Sequence, residues 1–137
     1  MRVGEYDVRE GLYYSKEHEW AKAEQDKCRV GVADYAQQRL HEVVYAELPR
    51  VGSKVSQGES LGTVESVKAV ADVFSPISGE VIEVNERLRD SPELINKTPY
   101  DEGWIAVIRS SKPEEFKNLM DAAAYSEFLK SLAEKEG

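Results

Sequence analysis

Apolar residues come in short runs, cut every few positions by glycine, proline or charge, up to about residue 111; beyond it they recur at helical spacing. The runs predict strands over 28–32, 61–66 and 69–74, the last two meeting around Val67-Lys68 and leading into a Pro/Gly turn at 75–79 and another strand. Residues 12–20 predict a strand and a turn, and Val3, Tyr6 and Val8 a short edge strand. An apolar strand over 39–49 is stopped by Pro49, Gly52 and Gly58 mark turns around a short strand, and 104–108 closes the β part.

Helix signals are sparser. Asp34, with Gln37 three residues on, has the spacing of a capped start, and predicts a short helix ending near His41. Residues 85–90 are polar and predict a loop, while Ser91-Pro92-Glu93 has the serine cap and early proline of a short helix or turn. Phe116, Leu119 and Met120, then Tyr125, Phe128, Leu129 and Leu132, make a helical apolar stripe, with Asp121 as the cap of its second segment. Residues 134–137 are expected to fray.

A chain of 137 residues is long enough for one core and too short for two. The formal net charge of −8 argues against nucleic acid, which needs clustered Lys and Arg, and favours protein partners. Cys28 is alone, so neither a disulfide nor a thiolate metal cluster is expected, and the expected compartment is the cytoplasm. Residues 1–10 are too short and too acidic for a transit peptide, and no apolar run of ~20 residues spans a membrane. His18 and His41 stand far apart, with no spacing for a metal site. The glycines fit no phosphate-binding pattern, and no nucleophile–base set is visible.

The segment 62–84 bears the clearest chemistry. Propensity alone leaves its middle open between a hairpin and one continuous strand, because β-branched Val67 suits a two-residue turn poorly. Lys68 has a long stem ending in a primary amine, which acylation converts from a charge into a tether. Glu65-Ser66-Val67-Lys68-Ala69, followed by Asp72-Val73 and Ser75-Pro76-Ile77-Ser78-Gly79-Glu80-Val81, resembles the attachment segment of lipoyl-carrying domains. Ser15-Lys16-Glu17-His18-Glu19-Trp20 and Leu94-Ile95-Asn96-Lys97-Thr98-Pro99-Tyr100-Asp101-Glu102-Gly103-Trp104 narrow the resemblance to the H proteins of the glycine cleavage system, over roughly 12–132. Biotinyl carriers have Met on both sides of the lysine, where this chain has Val67 and Ala69.

The resemblance implies a mainly β, lipoyl/biotinyl-type flattened barrel-sandwich with a short internal helix and C-terminal helices. Residues 1–11 would be an N-terminal extension, 12–110 the lipoyl-carrier domain and 111–137 a helical segment packed on it. It implies lipoic acid joined to Lys68, with Glu65, Ser66, Val67 and Ala69 flanking the attachment and Glu65 and Ser66 read by a lipoate ligase or lipoyl transferase. Glu19 and Asp72 match the carboxylates that face the arm. The implied role is a non-catalytic carrier of the aminomethyl group of glycine. The implied partners are a pyridoxal-phosphate glycine decarboxylase (P protein), a tetrahydrofolate-dependent aminomethyltransferase (T protein) and dihydrolipoyl dehydrogenase (L protein). The sequence departs from the family at Glu17, often Ser or Asp in relatives, and at Leu40-His41-Glu42, where Leu-Gly-Asp is usual. The second departure leaves open an H-like carrier of another pathway, sulfur oxidation or lipoate relay.

Overall fold

The computed structural model describes residues 1–136. Two sheets face each other as a sandwich rather than closing into a barrel. The elements run β1 (Arg2–Val3), β2 (Tyr6–Asp7), β3 (Tyr13–Tyr14), β4 (Glu19–Glu24), β5 (Lys27–Val32), α1 (Asp34–Leu40), β6 (Val43–Glu47), β7 (Lys54–Val55), β8 (Ser60–Ser66), β9 (Val70–Phe74), β10 (Gly79–Val84), α2 (Arg87–Asp90), α3 (Leu94–Lys97), β11 (Ala106–Ser110), a 3-10 helix (Pro113–Asn118) and α4 (Ala122–Glu136). The larger sheet has the order β3-β4-β5-β11-β10-β7, the smaller β6-β8-β9, and β1 pairs with β2.

Alternation within the strands builds the main core. Val30, Val81 and Ile108 from the larger sheet join Val43, Ala46, Val64 and Val73 from the smaller in one buried cluster. Within the smaller sheet, β8 lies so close to β6 at Gly62 that a Cβ there would run into the Glu47 carbonyl oxygen. Glycine therefore lets β8 run against β6 just before the Lys68 hairpin.

A second cluster seats α4. Tyr125 and Leu129 pack with Val3, Val8, Tyr14 and Trp20, and the rings of Tyr14 and Tyr125 stack with centroids 4.2 Å apart. The stripe at 125, 128, 129 and 132 thus faces the β domain as its spacing predicts. Asp121 caps α4 by accepting a hydrogen bond from the Ala124 N–H at 2.8 Å. The expected fraying at 134–137 does not begin by Glu136, and Gly137 lies outside the described residues.

Three local expectations change. Residues 87–90 form α2 instead of a loop, because Leu88 is fully buried in the main core and pulls the turn inward. The helical spacing of Phe116, Leu119 and Met120 does not hold: the 3-10 helix ends at Asn118, and Met120 pairs in β fashion with Tyr14. Asp34 is the first residue of α1, not its cap. Its carboxylate is buried and accepts from the Asp7 N–H at 2.8 Å and from the Gln37 and Gln38 side chains at 2.6 and 2.8 Å.

Candidate functional site

Lys68 occupies a three-residue loop, Val67-Lys68-Ala69, between β8 and β9. Ser66 builds it. The Ser66 N–H donates to the Ala69 carbonyl at 2.8 Å, and the Ser66 hydroxyl oxygen accepts from the Lys68 and Ala69 N–H groups at 3.3 and 3.1 Å. No loop residue needs a positive φ, so Val67 fits without strain. The turn type that propensity disfavours is simply not the one used.

The Lys68 side chain is exposed and has no hydrogen-bond or ion-pair partner among the described residues. A free primary amine on a braced turn is the donor that amide attachment of lipoate requires, so the residues present fit that group. Lys68 also lines a cavity of about 890 Å³ with Arg39, His41 and Asn96. Val67 projects to solvent, Glu65 is half-buried, and Ser66 is buried beneath the loop.

Glu19 lies at the start of β4 and is 3 % exposed. Its carboxylate accepts from the Ser15 hydroxyl at 2.6 Å and from the Phe74 N–H of β9 at 3.2 Å. Burial pushes the carboxyl up to about 8, against the pull of those donors. It lines a cavity of about 170 Å³ shared with Glu17, Phe74, Asn118 and Leu119.

Asp72 does not line that cavity. It sits exposed on β9 and accepts from the Ser60 hydroxyl at 2.9 Å. Alternation along β9 nevertheless puts Val70, Asp72 and Phe74 on its outer face while Val73 enters the core. The four steps from Val70 to Phe74 span about 13 Å, so one strand face leads from the Lys68 loop past Asp72 to the Glu19 cavity.

Sequence reasoning missed the supports of this cavity. Ser15 holds Glu19 from a turn in which the Ser15 N–H donates to the Glu19 carbonyl at 2.9 Å; its only signal was a serine four residues before the acid. Glu115 anchors the 3-10 helix, accepting from the Ser78 N–H and hydroxyl at 2.7 Å each. Gln57 accepts from the Asn118 amide at 3.1 Å. Nothing local in the sequence links residues 57, 78 and 115.

The two histidines serve the frame. His18 is packed against Tyr35 and hydrogen-bonded to the Tyr125 hydroxyl at 2.8 Å, and burial lowers its imidazole to about 4. His41 ends α1 with φ 67 and ψ −153, conformations that favour glycine. The turn keeps its shape because the Asn96 side chain donates to the His41 carbonyl at 2.7 Å and accepts from the Val43 N–H at 2.9 Å. Among the described residues no helix is long and apolar enough to cross a membrane.

The glycine cleavage H-protein family matches residues 12–132. A probable glycine cleavage system H protein of Thermococcus kodakarensis is 57 % identical over 134 residues, covering 96 % of this chain and 99 % of that one. The glycine cleavage system H protein of Anaeromyxobacter sp. (strain K) is 54 % identical over 123 residues, covering 90 % and 96 %. The crystal structure of a glycine cleavage system H protein from Mycobacterium marinum superposes with a TM-score of 0.81 at 33 % identity, covering 90 % of this chain and 99 % of that one. The chain therefore belongs to the glycine cleavage H-protein family, the non-catalytic lipoyl carrier component of a system whose other components are the P, T and L proteins.

Proposed function

We propose that Lys68 is the lipoyl attachment site, and that the chain moves the aminomethyl group of glycine from the P protein to the T protein, with the L protein restoring the disulfide. The observation that carries this is the free Lys68 amine on a loop whose backbone Ser66 already satisfies. A lipoate ligase or lipoyl transferase reaches that amine without unfolding any strand. When bound, lipoate would supply a disulfide that opens as it accepts the aminomethyl group and is left as a dithiol once that group departs.

The chain's own part is to hold and shelter the cargo. Val70 offers an apolar surface beside the loop, and Asp72 and Glu19 supply carboxylates for a cationic amine. Burial pushes Glu19 up to about 8. A cation entering beside it favours the carboxylate, so the proton leaves as the charge pair forms. Phe74 and Leu119, which line the cavity beside Glu19, offer apolar cover for the amine.

Intact mass and peptide mapping after incubation with lipoate, ATP and a lipoate ligase test the attachment. One lipoyl adduct on Lys68, absent in Lys68→Ala, is expected; an adduct elsewhere or none overturns the reading. Lipoyl-dependent exchange of bicarbonate carbon into glycine with purified P protein then tests the pathway. Failure of exchange with a lipoylated chain would move the role to another lipoyl-dependent system.

A further inference from the structure

The outer face of the larger sheet, turned away from β6, β8 and β9, holds a pair of like charges that the fold does not neutralise. Along β4 and β5 the residues Ala21, Cys28 and Val30 enter the main core, so the alternate positions Trp20, Lys22 and Arg29 face the other way. Trp20 is covered by the second core, and its indole N–H donates to the Pro99 carbonyl at 3.0 Å. Two residues further along, that cover ends. Register sets Lys22 directly opposite Arg29, with Val107 of β11 on the other side of Arg29. Like charges so placed repel, and neither side chain has a hydrogen-bond or ion-pair partner among the described residues. The Arg29 guanidinium lies over the Trp104 ring, 5.0 Å from its centre, yet none of its N–H donors is engaged, the buried Nε included. Leaving a buried donor without an acceptor is costly.

The pair opens onto a cavity of about 470 Å³ that Arg9, Arg87 and Trp104 also line, together with the carboxylates Glu10, Asp101 and Glu102. Internal pairing accounts for most of these charges. Arg9 holds Asp101 through both oxygens, at 2.5 and 3.0 Å, and Arg87 lies 3.1 Å from Glu102. Lys22 acts on Asp101 only through space. What remains is Lys22 and Arg29 against the single carboxylate of Glu10, on a chain whose net charge is −8.

We propose that this cavity binds a small dianion, the phosphate group of a phosphorylated metabolite or free phosphate, held between the Arg29 guanidinium and the Lys22 ammonium. The chemistry of the pair selects the ligand. Arg29 offers a planar fork that matches two oxygens of a tetrahedral anion, and Lys22 adds a point charge from the neighbouring strand. A dianion neutralises both cations, whereas a monoanion leaves one of them uncompensated. Two free cations are too few for a nucleic-acid backbone, and the cavity has room for a small molecule. The site is separate from the cavity that Lys68 lines, with which it shares no residue, so the inference does not rest on the lipoyl reading.

Calorimetric titration of the full chain with inorganic phosphate, glycerol phosphate and acetate, at constant ionic strength, tests the site. Phosphate and its ester should each saturate one site, and acetate should bind at least about tenfold more weakly. Lys22→Ala, whose side chain is exposed, and Arg29→Gln should each weaken phosphate by about tenfold or more, while Glu10→Gln should tighten it. Added salt should weaken binding to the wild type. Lys54→Ala, which removes an exposed lysine outside the cavity, and Lys68→Ala should bind as the wild type does. In thermal melts, phosphate should raise the Tm of the wild type and leave that of Lys22→Ala unmoved. An ester that binds about tenfold tighter than phosphate identifies a phosphorylated metabolite as the ligand; an ester that binds no tighter identifies free phosphate. No saturable binding, acetate binding as well as phosphate, or undiminished affinity in folded Lys22→Ala would overturn the proposal. None of these outcomes bears on Lys68, and a chain that takes no lipoyl adduct would overturn the carrier reading while leaving this site in place.

Discussion

Removing Glu19 from water raises its carboxyl from the ordinary 4.5 to about 8, and this couples protonation to folding. The folded state holds a proton that the unfolded chain releases above 4.5, so the contribution of this group is full below that pH and is lost as pH rises through 8. Glu19→Gln should flatten the fall in thermal stability between pH 6.5 and 8.5, as differential scanning melts would show; parallel curves for the two proteins would refute the assignment. In the carrier role, Glu19→Gln with Asp72→Asn should also quicken ammonia release from the loaded protein. His41 makes a different prediction. Its φ of 67 and ψ of −153 place a non-glycine residue in a region that costs about 1–3 kcal/mol. His41→Gly should raise stability by about that amount in urea unfolding, since the Asn96 hydrogen bonds involve only backbone atoms of His41 and Val43.

At the scale of elements, the 3-10 helix is held to the turn after β9 by one carboxylate. Glu115→Ala leaves the buried Ser78 hydroxyl and N–H without their acceptor, a loss of about 1–3 kcal/mol for the helix contact. Asn118 and Leu119 line the Glu19 cavity, so the same change should speed hydrogen exchange at the Phe74 N–H, which bonds Glu19. Exchange there at the wild-type rate would mean that this wall does not depend on Glu115. The cap of α4 is simpler: Asp121→Ala should cost about 1 kcal/mol, measured by chemical denaturation, because one N–H at the helix start loses its partner.

For the whole molecule, two buried groups on neighbouring residues pull pH dependence in opposite directions. His18 is lowered to about 4 by burial and by the nearby Arg39, so its contribution is full above 6.5 and fades as pH falls towards 4. Glu19 acts the other way between 4.5 and 8. The two offset each other from about 4.5 to 6.5, and only the Glu19 slope remains above that window.

Much of this arrangement was legible from the order of residues. Strands 61–66 and 69–74 lie within a residue of β8 and β9, α1 begins at Asp34, and the 125–132 stripe packs as its period requires, because alternation and helical spacing are local consequences of which side chains must leave water. The motif around Lys68 lay in that stretch, and the segments 15–20 and 94–104 narrowed the resemblance to the family. The tertiary structure alone decided what long-range contacts decide: that Glu19 is buried against β9 while Asp72 remains outside, that Leu88 turns a polar segment into a helix, and that Ser78 and Glu115 meet across 37 residues. The physical reason is one of distance along the chain. Periodicity reports which face of an element turns inward, but a carboxyl's protonation and a cation's partners depend on which other elements arrive beside it.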